Sequence, residues 1–339
     1  MTLRAYGLAS AALLSCLMAS VAPSPARAVS TVQSLTTGAN VGWFTPTSLP
    51  EPRESVAATV GHEGNIYVFG GTDGVTDYNT VFIYHPRGNS WSVGATMPFG
   101  VEGAAAVTLP DGRIVVMGGG AGCHYTQHCT TYNTVEVYDP RSHAWNLLAS
   151  MHAPHYRGAA VLGPDGRVYV IGGWNGTAAL ATVEAYNTRT NTWTNVASLP
   201  QAEEGAAAVV TRHRIAVVGG FDGGNAYYNN LFVYNGKTWQ SGSPMPTARA
   251  NLGAVVGPRG LIFALGGYAP GTYLATVEAY DPRTDSWAGK APLPMALETI
   301  GAVTTANGWI YAIGGWHGSP SRMVAVYGPR PARHNPFAG

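Results

Sequence analysis

Charged residues make up only 11% of this 339-residue chain, so the places where they gather are informative. Six short segments concentrate them at intervals of about 48 residues: Arg53-Glu54, Val101-Glu102, His155-Tyr156-Arg157, Glu203-Glu204, Arg249-Ala250-Asn251 and Leu297-Glu298. Carboxyl groups such as Glu203 and Glu204 can act as general acids and bases, and arginines such as Arg157 and Arg249 can hold an anionic substituent. A second set follows Gly-Gly doublets: Thr72, Gly120, Trp174, Phe221, Tyr268 and Trp316. Its four aromatics offer flat apolar faces that can stack on sugar rings. A third group is Gly122-Cys123-His124-Tyr125-Thr126-Gln127-His128-Cys129. Two thiols and two imidazoles there admit either a disulfide or a metal site.

The elements that carry these groups repeat. Doublets begin at Gly70, Gly118, Gly172, Gly219, Gly266 and Gly314, with spacings of 48, 54, 47, 47 and 48. Each follows an apolar run such as Ile66-Tyr67-Val68-Phe69 or Val168-Tyr169-Val170-Ile171. Such unbroken runs suit a strand buried on both faces. A tyrosine follows each doublet (Tyr84, Tyr138, Tyr186, Tyr234, Tyr280, Tyr327), and a tryptophan follows the first five of these: Trp91, Trp145, Trp193, Trp239 and Trp287. Every one of these tryptophans is followed six residues later by Leu or Met, as in Trp193 and Leu199. The sixth unit has no tryptophan after Tyr327, but Trp43 and Leu49 show the same spacing near the start of the chain. The segment near 41–47 is therefore expected to supply the outer strand of the last unit, closing a ring and removing a free sheet edge. Six doublets and six Trp-Leu/Met units predict six blades. Composition agrees: 44 glycines, 23 prolines and two lysines favour short strands and tight turns.

The combination of Gly-Gly, Tyr and Trp in register resembles the Kelch repeat, over roughly residues 41–328. The resemblance implies an all-β, six-bladed propeller closed by an N-terminal strand. It also implies that the segments leading into the innermost strands and the residues after the doublets open on one face. The expected ligand-binding residues are then Arg53, Glu102, Arg157, Arg249, Asn251, Glu298, Trp174, Phe221, Tyr268 and Trp316, forming a polar ring with aromatics beside it. Glu136, Glu184 and Glu278, each two residues before the repeat tyrosine, are expected to serve the blades themselves. Most Kelch propellers bind ligands or partner proteins, which implies recognition of a glycan, peptide or protein. Exported bacterial six-bladed propellers are also similar to the sialic acid mutarotases (N-acetylneuraminate epimerases). That likeness implies Glu203 or Glu204 as acid/base, with Arg157 and Arg249 holding a sugar carboxylate. A copper-radical oxidase of the galactose oxidase type needs a tyrosine cross-linked to a cysteine, yet Cys123 and Cys129 share one loop.

Residues 1–28 read as a secretory signal: Arg4 precedes an uncharged stretch, and Ala26-Arg27-Ala28 offers a small-x-small cleavage pattern. A secreted or periplasmic protein is expected, with residues 29–40 as a linker and 329–339 as a tail. A lipid anchor at Cys16 is the alternative to cleavage near Ala28. In an oxidising compartment, Cys123 and Cys129 are expected to form a disulfide in preference to a metal site. A net charge of +1 argues against a nucleic-acid partner. No cofactor, no metal and no membrane span after signal cleavage are expected, and a monomer is.

Overall fold

The computed structural model describes residues 41–123 and 129–329. The expected signal, Cys16, the linker, the two loop histidines His124 and His128, and the tail beyond Pro329 lie outside the described residues. Among those described there is no α-helix, only a single 3-10 turn at Pro258–Gly260.

Six antiparallel sheets form the blades, each with four strands in meander order from the axis outward, and in blade 2 the short strand Thr130–Thr131 pairs as a fifth. Blade 1 comprises Ala57–Val60, Ile66–Phe69, Val81–His85 and Ser90–Val93. The innermost strands of blades 2 to 6 are Glu102–Thr108, Ala159–Leu162, Ala207–Thr211, Gly253–Val256 and Gly301–Thr304. Blade 6 takes its outer strand from the other end of the chain: Val41–Phe44 pairs with Val324–Pro329 in the register Trp43 to Tyr327. The expected closure by an N-terminal strand is present, and the C-terminal strand runs through Pro329.

Sequence pattern explains the layering. In every blade the run before the doublet is buried on both faces, as in Ile66–Phe69, Val168–Ile171 and Ile310–Ile313. Each repeat tyrosine pairs across strands with its tryptophan, for example Tyr84 with Trp91 and Tyr186 with Trp193. The indole then reaches the preceding blade. Trp91 donates to the carbonyl of Thr47, Trp145 to Ala95, Trp193 to Ala149, Trp239 to Ala197, Trp287 to Ser243, and Trp43 to Ala291 at 2.8 Å. Trp43 thus completes a six-fold set in which an aromatic body fills the wedge and its N–H finds a partner. Leu49, Met97, Met151, Leu199, Met245 and Leu293 are all buried beneath these contacts.

The doublets join consecutive blades. The second glycine N–H donates to a carbonyl of the next blade's lead-in segment: Gly71 to Val101, Gly173 to Glu203, Gly220 to Arg249, and Gly315 back to Arg53. A Cβ on Gly172, Gly219 or Gly266 would stand 2.5 Å from the carbonyl oxygen of Glu203, Arg249 or Leu297, and each of these glycines has positive φ. Only glycine permits that approach.

Candidate functional site

The lead-in segments place three successive residues in three different environments. The first residue packs within and between blades. Arg249 is fully buried, with Nη2 donating to Glu278 Oε2 at 2.8 Å and Nη1 donating to the carbonyls of Gly266 and Thr276. His155 bridges the Gly172 carbonyl (2.6 Å) and Glu184 Oε1 (3.1 Å) through its two ring nitrogens. Arg53, 1% exposed, lies over the Tyr78 ring at 3.3 Å and pairs with Glu51. Glu203 is buried, accepting from Gln201 and Asn230. Val101 and Leu297 fill the same position with apolar bulk. The expectation that Arg53, Arg249 and Glu203 contribute to the polar ring is therefore corrected. A strand side chain alternates direction residue by residue, and these three point into the blade packing. Glu184 and Glu278 serve the blades as expected.

The third residue of each segment forms a closed collar about the axis. Ser55, Gly103, Arg157, Gly205, Asn251 and Thr299 all have φ between 51° and 62°. Their backbones bond head to tail: Gly103 N to Ser55 O, Arg157 N to Gly103 O, Gly205 N to Arg157 O, Asn251 N to Gly205 O, Thr299 N to Asn251 O, and Ser55 N to Thr299 O, at 2.7 to 3.1 Å. Left-handed backbone is uncommon outside glycine and a genuine outlier for β-branched Thr299. The ring of hydrogen bonds over-determines it. A cavity of about 150 Å³ is lined by the collar and the residues that follow it. That space admits a substituent or a few waters, not a whole sugar. Ser55 Oγ, Asn251 Oδ1 and Arg157 Nε are buried atoms without a hydrogen-bond partner there.

The second residue of each segment supplies the charge. Glu54, Glu102, Glu204 and Glu298 come from four blades, with Tyr156 and Ala250 in the other two. Each pairs by backbone with the residue after its own doublet: Glu54 with Thr72, Glu102 with Gly120, Tyr156 with Trp174, Glu204 with Phe221, Ala250 with Tyr268, and Glu298 with Trp316. Both expected sets thus form a single rim. Glu298 accepts from Asn251 Nδ2 at 2.7 Å, Glu54 from Thr299 Oγ1 at 3.1 Å, and Glu102 from Tyr156 OH at 3.3 Å.

Burial pushes Glu54 up to about 8 and Glu204 up to about 7, each against the pull of Arg157. It raises Glu102, helped by Asp77, and Glu298 likewise. Burial opposes the charge of Arg157, but Tyr156, Glu298, Glu204 and Glu102 more than offset it and keep the guanidinium protonated. Among the described residues these four carboxyl groups share the Arg157 cation, and Glu54 and Glu204 hold protons near neutrality. Acids and bases do not alternate around this ring.

Aromatics form a continuous arc over blades 4 to 6. Phe221 stacks on Tyr227 (centroids 5.4 Å), Tyr227 tilts against Tyr268 (5.9 Å), and Tyr268 meets Tyr273 (5.5 Å). Trp316 Nε1 donates to Tyr273 OH at 3.0 Å. All five are half-buried. Trp174 packs against Gly223 of blade 4, beside Glu204. On the opposite arc Cys123 and Cys129 form the expected disulfide, and Cys123 N–H donates to Glu102 Oε1 at 2.8 Å. Sequence reasoning passed over Ser55, Thr299, Tyr227 and Tyr273. The repeat register could have found the first two, because they occupy the collar position that Arg157 and Asn251 also hold.

Family models for a KLHDC2/KLHL20/DRC7 Kelch-repeats domain and an Attractin/LZTR1 beta-propeller match residues 158–330 and 44–225. The chain is 33% identical over 86 residues to the N-acetylneuraminate epimerase of Brucella suis, covering 23% of this chain and 22% of that protein. It is 31% identical over 228 residues to human Kelch-like protein 23, covering 67% and 30%. The chain thus spans less than a third of the length of these relatives. A solved structure of YjhT superposes with a TM-score of 0.70 at 16% identity, covering 83% of this chain and 95% of that one. A fungal alcohol oxidase of the AA5 family in complex with copper gives 0.61 at 18% identity, covering 85% and 76%. At such identities the likeness is one of fold.

Proposed function

The chain belongs to the Kelch-repeat β-propeller family, and from that premise we propose that the mouth of its channel binds a saccharide. The carrying observation is the rim itself, where four carboxyl groups and Arg157 converge beside the aromatic arc of Phe221, Tyr227, Tyr268, Tyr273 and Trp316. Sugar recognition needs flat apolar faces for the ring and directional polar groups for the hydroxyls, and this rim supplies both. The narrow axial cavity suits one entering substituent while the ring rests across the aromatics. The Cys123–Cys129 disulfide supports action in an oxidising, exported setting, and a closed ring whose blades leave only short outer strands as edges supports a monomer. Saturation-transfer NMR of the full chain against a panel of mono- and oligosaccharides is expected to reveal binding that Tyr268→Ala or Trp174→Ala weakens at least tenfold. A panel without a single binder overturns this reading.

A second reading is interconversion of sugar anomers, in the manner of the sialic acid mutarotases. Glu54 and Glu204, with proton affinities near neutrality, suit transfer of a proton at the anomeric hydroxyl and ring oxygen. Glu204 remains the candidate acid/base, whereas Glu203 and Arg249 lie in the blade packing and leave Arg157 as the rim cation. Exchange spectroscopy on N-acetylneuraminate and on neutral hexoses tests it. Anomer exchange no faster than in buffer would set catalysis aside and leave binding. For copper-radical chemistry, the disulfide leaves neither Cys123 nor Cys129 free for a cross-link to tyrosine.

A further inference from the structure

We propose that a groove between blades 4 and 5, at the far end of the strands from the channel mouth, binds the oxyanion of a soluble phosphate or sulfate ester. This site is separate from the saccharide-binding mouth. In blades 2 and 3 the hairpin between the two inner strands carries an ion pair: Arg113 with Asp111 and Arg167 with Asp165, each at 2.7 Å. Arg214 of blade 4 holds the same position, directly before the buried run Ile215-Ala216-Val217-Val218, but Arg212 stands where the aspartates stand. Among the described residues neither Arg212 nor Arg214 forms an ion pair, and Arg212 Nη1 donates to the Pro282 carbonyl of blade 5 at 3.4 Å.

The turn presents these cations against backbone preference. A two-residue hairpin loop with positive φ at both positions is ordinarily met by Asn-Gly or Asp-Gly. Here Arg212 has φ 48° and His213 has φ 59°. Two bulky residues in left-handed backbone are uncommon, and such outliers gather at functional sites.

Charge and shape agree with an anion. The groove has a volume of about 490 Å³, and Arg212, Arg214, Gln240 and Ser241 line it with exposed side chains. Two guanidinium forks, an amide and a hydroxyl can all donate. A carboxylate offers two oxygens, whereas a phosphate or sulfate ester offers three, enough to engage both arginines and a neutral donor. Asp285 also lines the groove, but its Oδ1 already accepts from the Tyr280 hydroxyl at 2.7 Å and the Ser243 N–H at 2.9 Å. Neighbouring Asp281 is held by Arg283 at 2.8 Å. Thr211 Oγ1 donates to the Gly260 carbonyl, which brings the blade 5 hairpin and its exposed Arg259 alongside. The groove between blades 2 and 3 is nearly as large, about 480 Å³, yet there Arg167 is taken by Asp165 and Asp111 joins the lining. Two grooves of equal size thus differ in charge. The donors line a concavity, not a flat face, which selects a soluble ester over a lipid surface.

Calorimetry on the full chain at low salt, with glycerol 3-phosphate, methyl sulfate and glycerol, tests the proposal. Probes without a sugar ring keep its outcome apart from the saccharide reading. At least one of the two esters is expected to bind about tenfold tighter than glycerol, and Arg214→Gln to weaken that ester about tenfold, as loss of a charged hydrogen bond does. Arg167→Gln, in the groove of equal size, is expected to leave ester affinity within about twofold, because its charge is already matched. Should Arg214→Gln fold poorly, Arg212→Gln and the three-probe comparison on the parent chain decide. Neither ester binding, or glycerol binding as tightly as both, would overturn the oxyanion site. Equal weakening by Arg167→Gln and Arg214→Gln would overturn the groove in favour of diffuse surface charge. Phosphatidylglycerol vesicles binding the parent chain more tightly than either ester, and losing that advantage in Arg214→Gln, would overturn the soluble source.

Discussion

At the lead-in to blade 5, Arg249 is sealed between strands with its charge matched by Glu278 and by two carbonyls. At the channel mouth, one residue further along the same kind of segment, four carboxyl groups share Arg157 among the described residues, and Ser55 Oγ and Asn251 Oδ1 have no hydrogen-bond partner there. The two regions have similar burial and the same residue types. They differ in how the charge is answered, by an opposite charge within one blade or by neutral donors and one shared guanidinium. In the blade layer Arg249 and His155 each meet a carboxylate of their own blade, whereas at the mouth the glutamates are met by neutral donors and by Arg157. Glu136 tests this distinction, because it lies in the blade layer yet resembles the mouth. It occupies the position of Glu184 and Glu278, but Val101 stands where His155 and Arg249 stand in their blades. Both of its carboxylate oxygens lack a partner, and burial pushes it up to about 7.

Breaking the matched layer is expected to give the largest effect. Glu278→Ala leaves Arg249 buried without its carboxylate and should cost about 3–5 kcal/mol of stability, measured by denaturant unfolding followed by tryptophan fluorescence. Glu204→Gln at the mouth is expected to leave stability within about 1 kcal/mol or to raise it at pH 8, since it removes a charge that burial disfavours. Equal losses from both substitutions would erase the contrast between the layers.

Glu136 sharpens it through pH. Its proton is held more tightly in the folded chain than at the ordinary value of 4.5, so the folded state binds more protons than the unfolded one. This group therefore costs nothing well below pH 4.5, and its penalty grows as pH rises through 7, reaching on the order of 3 kcal/mol. Glu136→Gln is expected to be neutral at pH 4 and stabilising at pH 8. Parallel stability-versus-pH curves for parent and variant would show that Glu136 is answered by some other group. The smallest expected effect concerns the collar. Thr299→Gly relieves left-handed backbone at a β-branched residue and should change stability by about +0.5 to +1 kcal/mol, against loss of the bond to Glu54. A loss above about 1 kcal/mol would mean that the Thr299–Glu54 bond outweighs the strain.

Much of this architecture was legible from periodicity. Gly-Gly, Tyr and Trp in register require the same local geometry six times, and Trp43 standing alone at one end answers Tyr327 at the other. The site was legible only in part. Glu102, Arg157, Asn251 and Glu298 do meet at the mouth, and Trp174, Phe221, Tyr268 and Trp316 pair with the lead-in residues. Arg53, Arg249 and Glu203 could not be told from them, because one residue of phase in an extended segment reverses the direction of a side chain. Tyr227 and Tyr273 lie in loops of unequal length, where the repeat register carries no information.

The amino-acid sequence by itself determined the number of blades, the closure of the ring and the identity of the rim segments, because each depends on local spacing and on apolar runs that recur. Only the tertiary structure decided which charged groups turn into the blade packing and which gather at the axis. That outcome depends on contacts between residues far apart in the chain, such as Glu54 with Thr299 and Glu102 with Tyr156, and on burial that no single repeat creates alone.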